Sequence, residues 1–247
     1  MTGAGIVDIR RSQGTAVLTL RREAKLNALS THLERELLRA LDDKAVTTAR
    51  AVVLTGGDKV FSAGADTGEL REMTPEAIAA YYRDSGAVYE KVAALPQPTV
   101  AAIAGYCLGG GLELALAADF RIADPTAKFG LPEVGIGILP SSGGTYRTTR
   151  IVGPARAREL VLRGRRLTAG EALGWGLLTE VTDEGAHLET ALRLAEEMAV
   201  LPPLAVAVTK RVIDVAADSP REASLLLEQL AYASLNQATH PPNEDPR

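Results

Sequence analysis

Residues 104–144 read AGYCLGGGLELALAADFRIADPTAKFGLPEVGIGILPSSGG, and the punctuation of this stretch decides how the chain is built. The apolar run Thr99–Ala104 leads into it as a buried strand, and Phe120–Ala123 reads as another. Between them, Gly109-Gly110-Gly111 opens onto Leu112–Ala118, the pattern of a tight turn into a short helix over Gly109–Ala118. Phe129–Ser142 is broken by glycine and proline and reads as a loop. A helix that is apolar all round belongs in the interior, so Glu113 sits in a setting that favours its neutral form.

The same residues hold the candidate chemistry. The free N–H groups at the start of a helix carry partial positive charge, and a glycine turn lets a ligand approach them. The Gly110 N–H is therefore a candidate donor to a developing oxyanion, and Glu113, three residues on, shares its helix face. Glu133 follows in Gly130-Leu131-Pro132-Glu133-Val134-Gly135, a segment with no other charge. Two carboxyl groups in apolar surroundings beside a backbone donor form a general acid/base constellation. The small-residue segment Phe61-Ser62-Ala63-Gly64-Ala65-Asp66 offers a second main-chain donor. Plainer readings stand beside these. The glycines could be a packing turn, Glu113 a cap of its own helix, Glu133 a loop carboxylate, and Asp66 a cap for the turn after it.

Outward from this stretch, Ile6–Ile9 and Thr15–Leu20 read as a hairpin around Ser12-Gln13-Gly14. Ser30 caps a helix to about Asp43 with a Leu33, Leu37, Leu38, Leu41 stripe, and Ala51–Leu54 is a short strand. Residues 58–73 hold no clean period and read as a loop, and Thr74-Pro75 opens a helix to about Ala94. Beyond residue 142 the pattern is helical over 143–151, 155–162, 168–174, 187–199, 203–217 and 220–235, with one strand near Leu178–Val181. Strands first and helices later predict a mixed α/β fold: a core over 1–195, a helical region over 196–235 that packs on the core or on another subunit, and a disordered, proline-bearing tail over 236–247.

Composition narrows the function. A formal charge of −4 argues against general nucleic-acid binding. The single cysteine, Cys107, excludes an internal disulfide and a cysteine metal cage, and it reads as a small core residue. His32, His187 and His240 have no metal-binding spacing and are expected at the surface; Tyr146 and Trp175 read as packing residues, and Arg163, Arg165 and Arg166 as a solvated face or interface. Without a signal-peptide pattern or a long apolar run, the expectation is a cytoplasmic protein with no membrane contact and no metal.

The motifs resemble those of the enoyl-CoA hydratase/isomerase (crotonase) superfamily. The resemblance runs from about Ile6 to about Leu235 through Lys25-Leu26-Asn27-Ala28-Leu29, Val53-Leu54-Thr55-Gly56, Phe61–Asp66, Gly109–Leu114, Phe129–Glu133 and Gly143-Gly144-Thr145, all in order. It implies a spiral of strand–strand–helix turns followed by helices that build trimers, often paired into hexamers. It implies an oxyanion hole from the Ala65 and Gly110 N–H groups, with Glu113 and Glu133 as the catalytic pair. Lys25, Ala63, Asp66 and Thr67 fall where the family lines the thioester and nucleotide of an acyl-CoA. The implied reaction is reversible addition of water to a trans-2-enoyl-CoA, with coenzyme A part of the substrate and no separate cofactor. Double-bond isomerisation and an idle acyl-CoA-binding scaffold are the alternatives. Two departures are visible. Thr67-Gly68 replaces the family's usual basic residue after Gly64-Ala65-Asp66, and the chain turns to Asn236–Pro242 where relatives continue with a helix over the acyl site.

Overall fold

The computed structural model describes residues 5–239, apart from the side chains at 79, 82–85 and 238–239. The turn at Gln13-Gly14 folds β1 (Ile6–Ser12) back on β2 (Thr15–Arg21) as an antiparallel hairpin. Ser30 caps α1 (Thr31–Asp42), its hydroxyl accepting the Leu33 N–H at 3.2 Å and satisfying a donor that a helix start leaves free. A single turn, α2 (Lys44–Thr47), leads into β3 (Ala51–Thr55), then α3 (Thr67–Glu72) and α4 (Pro75–Ala93). Next come β4 (Thr99–Ile103), β5 (Tyr106–Leu108), α5 (Gly110–Ala117), β6 (Phe120–Ala123) and β7 (Lys128–Gly130). A 3-10 turn at Glu133–Ile136 precedes α6 (Gly144–Val161), β8 (Leu167–Thr168), α7 (Ala169–Gly174) and β9 (Glu180–Val181). The described chain ends with α8 (His187–Ala199), α9 (Pro203–Ala216) and α10 (Arg221–Thr239). The class is mixed α/β, as the sequence predicts.

One sheet has the order β1-β2-β3-β4-β6-β9, parallel after its opening hairpin. Side chains alternate across a strand, and β3 divides accordingly. Val52 and Leu54 enter a core with Leu33, Leu37 and Leu41 of α1, whereas Ala51 and Val53 enter a second core with Ala191 and Ala195 of α8. Cover on both faces explains why β3 and β4 are continuous apolar runs. A smaller sheet, β5-β7-β8, stands beside the first. The chain passes from β4 to β5 through Gly105 and then into α5, a strand–strand–helix turn that delivers the glycine run to the junction of the two sheets.

Several expectations change. The segment 58–73 is not all loop, because the Asp66 side chain caps α3 there. The stretch Phe129–Ser142 contains the end of β7 and the 3-10 turn. His187 is fully buried, with Nδ1 3.5 Å from Asp124 Oδ2, rather than at the surface; His32 is exposed and His240 lies outside the described residues. Tyr146 is exposed rather than packed in the core. Residues 236–239, expected in the disordered tail, continue α10, because no proline interrupts the helix before Pro241; 240–247 lie outside the described residues. Gly153, at φ 80 and ψ 161, breaks α6 near the expected division into two helices.

The C-terminal helices touch the body lightly. No residue of α9 is buried, and Leu204, Ile213, Leu226, Leu230 and Tyr232 of α9 and α10 face solvent. No helix among the described residues is long and apolar enough to cross a membrane.

Candidate active site

The site forms where two glycine-bearing segments meet main chain to main chain. Asn27, fully buried, holds the first of them: its Nδ2 donates to the carbonyls of Gly56 at 3.0 Å and Val60 at 2.9 Å. Ser62 Oγ donates to Asn27 O at 2.8 Å and accepts from Gly64 N at 3.2 Å. Leu29 then pairs with this segment, donating to Gly64 O at 2.8 Å and accepting from Asp66 N at 2.9 Å. That pairing consumes the groups on either side of Ala65 and turns the Ala65 N–H away, with no acceptor among the described residues.

The second segment is the start of α5. Gly109 has φ 51 and ψ −129, a conformation that a side chain would strain, and a Cβ there would stand 3.0 Å from Glu133 Oε1. Gly64, at φ 98, packs so closely that its own Cβ would lie 2.8 Å from Leu108 O and 3.3 Å from Gly110 N. Residues without Cβ atoms on both sides bring the Ala65 and Gly110 N–H groups together. As the first residue of α5, Gly110 has no acceptor for its N–H among the described residues either.

One helical turn into α5, Glu113 is 4% exposed, and its Oε1 accepts from Ser142 N at 2.7 Å and Gly144 N at 2.8 Å. Gly144 opens α6, so this carboxyl lies at a helix N-terminus. Burial raises its pKa above the ordinary value, and the two backbone donors and the Arg147 charge only partly offset that. Glu133 begins the 3-10 turn. Its Oε2 is buried without a hydrogen-bond partner, and burial, with the charge of Glu113 nearby, pushes its carboxyl up to about 7. Ala65, Gly110, Glu113 and Glu133 line one cavity of about 80 Å³. The arrangement offers two N–H donors without acceptors among the described residues and two carboxyl groups that burial makes weaker acids than usual, Glu133 to about 7.

A family model described as Enoyl-CoA hydratase/isomerase matches residues 10–241. The chain belongs to that family. It is 38% identical to the probable enoyl-CoA hydratase echA8 of Mycobacterium bovis, over 92% of this chain and 88% of that protein. It is also 38% identical to the 2,3-dehydroadipyl-CoA hydratase of Escherichia coli, over 92% of this chain and 89% of that protein. The crystal structure of an enoyl-CoA hydratase from Bacillus anthracis superposes with a TM-score of 0.87 at 37% identity, covering 92% of this chain and 89% of that one. The crotonase-like fold implied by the motifs is therefore the fold of this chain.

The family-implied residues separate into two groups. Ala63, Ala65, Thr67, Gly110, Glu113 and Glu133 all line the cavity. Asp66 does not; its carboxylate receives the Gly68 and Glu69 N–H groups as the α3 cap and pairs with Arg22 at 2.8 Å. Burial raises that carboxyl, but Arg22 and the backbone donors outweigh it and hold it below the ordinary value. Lys25 is exposed on the 3-10 turn Glu23–Lys25 and is not among the residues lining the cavity. Cys107 is fully buried, and burial pushes its thiol up, as befits a core residue. Arg163 and Arg165 are exposed and pair with Glu159 and Glu171.

The structure also adds residues. Ser142 positions Glu113, and Tyr81 and Tyr89 of α4 line the cavity. Behind these tyrosines lies Glu34, a third buried carboxyl. Its signal was available in the sequence: Glu34, Leu37, Leu38 and Leu41 follow the spacing of one apolar helix face.

Proposed function

We propose that this chain hydrates trans-2-enoyl-CoA thioesters to 3-hydroxyacyl-CoA. The observation that carries the reading is the convergence of Glu113, Glu133 and the Ala65 and Gly110 N–H groups on one cavity. The thioester oxygen takes both N–H donors, which strengthen as it gains enolate charge; one such donor is worth about 3–4 kcal/mol of barrier. Glu113, whose Oε1 is held by two N–H groups, is the better-supported carboxylate and accepts a proton from the attacking water. The water oxygen bonds to Cβ. Glu133, held near neutrality by burial, supplies the proton that Cα takes as the carbonyl re-forms. Coenzyme A enters with the substrate, and the reaction uses no separate cofactor. The exposed apolar faces of α9 and α10 support assembly into a homotrimer or a hexamer.

The test is a product screen with C4 to C16 enoyl-CoAs that resolves hydration from double-bond migration. Loss of the enoyl-thioester absorbance with formation of 3-hydroxyacyl-CoA is expected. Migration products alone would reassign the chain to isomerisation, and tight binding without turnover would leave a scaffold.

A further inference from the structure

Tyr89, a residue 3% exposed, reaches the cavity from α4, and its hydroxyl stands beside Gly110. A Cβ on Gly110 would lie 3.0 Å from Tyr89 Oη and 3.6 Å from Ala65 N, so the phenol occupies the space between the two main-chain donors and α4. On its far side, Tyr89 Oη is 3.3 Å from Glu34 Oε1, which is also 3.2 Å from Tyr81 Oη. Nothing in the acid/base scheme above uses these groups.

We propose that Tyr89 is a third donor to the thioester oxygen and that the Glu34 carboxyl, as a positioning residue, sets the direction of its proton. The inference rests on the acyl-CoA reading of the cavity. A neutral Glu34 donates its O–H to Tyr89 Oη while accepting from Tyr81, and the Tyr89 proton then points into the cavity. An ionised Glu34 accepts from both phenols and draws that proton away. No covalent bond changes, and the device is a rotation of hydroxyl groups. Burial favours the neutral form and pushes the Glu34 carboxyl up to about 8. The titratable groups facing it are Tyr81 and Tyr89 of α4, Glu69 of α3 and Glu113 of α5; the phenols favour the ionised form and the two carboxylates oppose it. Burial pushes the Tyr89 phenol well above its ordinary value, so Tyr89 keeps its proton throughout.

The test uses butyryl-CoA carrying carbon-13 at the thioester carbon, a saturated ligand that needs no turnover. Its bound carbonyl shift moves downfield with each added donor. At pH 6.5 the shift is expected to be larger in the wild type than in Tyr89→Phe. Raising the pH to 9.5 removes the difference in the wild type, whereas Glu34→Gln, whose amide donates at every pH, keeps the larger shift at both. Equal shifts in wild type and Tyr89→Phe at pH 6.5 would overturn the third donor. A wild-type shift that ignores pH, or a Glu34→Gln shift that falls as the wild type does, would overturn the role of Glu34. Crotonyl-CoA hydration is assayed in parallel. A normal carbonyl shift without hydration would sink the hydratase reading and leave this inference standing, and no shift at all would sink both.

Discussion

Two regions of the molecule bury charged side chains in opposite ways. At the cavity, Glu113 and Glu133 are both nearly inaccessible, no ion pair reaches either among the described residues, and Glu133 Oε2 lacks any partner. Around the start of β6, Arg121 is equally buried but donates to Leu177 O and Ala118 O at 2.7 Å each. Next to it, Asp119 Oδ2 receives Thr99 N at 2.7 Å, Thr99 Oγ1 at 2.9 Å and Lys210 Nζ at 2.6 Å. Buried polar groups are normally matched, and Arg121 and Asp119 obey that rule. The first region violates it where the cavity opens. Thr15, Thr148 and His187 also bury polar atoms without hydrogen-bond partners, but among these only Glu133 lines the cavity, and under the proposed hydration its unmatched carboxyl serves chemistry at a cost to the fold.

The sharpest way to break the contrast is to remove the carboxyl charge without changing shape. Glu113→Gln and Glu133→Gln are each expected to lower hydration of enoyl-CoA about 10²–10⁴-fold, the range general acid–base groups supply. Neither should lower the melting temperature by more than a few degrees, because an amide is cheaper to bury than a carboxylate. Turnover near the wild-type rate in both variants would refute the two-carboxyl scheme.

Acidity gives the next largest effect. Glu34 and Glu133 are raised from an ordinary 4.5 to about 8 and about 7. In the unfolded chain both ionise near 4.5, whereas the folded chain resists their ionisation. The stability they permit is therefore complete below pH 4.5 and is lost as pH rises through the folded values. For Glu34 the loss is on the order of 3–5 kcal/mol between pH 4.5 and 8. Urea unfolding at pH 5 and pH 9 should show the decline in the wild type and a smaller one in Glu34→Gln. An unchanged decline in that variant would mean that Glu34 ionises freely in the fold.

These groups also mark how far the sequence could be read. The α1 stripe, the Thr74-Pro75 start of α4 and the apolar β3 and β4 were legible because period and capping are local signals. The glycine run and both glutamates were legible because glycine and isolated charge stand out in apolar sequence. Tyr89 was not: a tyrosine within a helix carries no mark of the helix start its hydroxyl will meet, and its partner Glu34 lies on another helix. Asp66 was readable in two ways, and the cap won because Arg22 and the α3 N–H groups converge on its carboxylate. β5 and β7 were hidden because three-residue strands carry too few alternations to register.

In the matched region, substitution should do the reverse of what it does at the cavity. Arg121→Leu strands two carbonyl groups that the guanidinium now serves, at about 1–3 kcal/mol each. A loss of about 2–4 kcal/mol in stability is expected, with the turnover number at low temperature close to that of the wild type. A variant as stable as the wild type would show that water can replace the guanidinium and that β6 is less closed than it looks.

The mildest case is Lys210→Met, and it sharpens the comparison most finely. Lys210 reaches from α9 to Asp119 and to Gln97 O at 2.8 Å, and both ends of the ion pair are partly exposed. Solvent already screens such a pair, and Asp119 keeps Thr99 when the lysine goes, so the loss should be about 1 kcal/mol or less. The consequence lies elsewhere. α9 buries none of its own residues, so Lys210 is one of the few ties that orient its apolar face and that of α10 relative to the body. If those faces join subunits, Lys210→Met should weaken assembly more than it weakens the fold, and sedimentation at falling protein concentration would register dissociation at a higher concentration than in the wild type. Dissociation unchanged in the presence of a normal melting temperature would assign the orientation of α9 to its contacts with α10 and to Arg150, which reaches Asp214 O and Asp218.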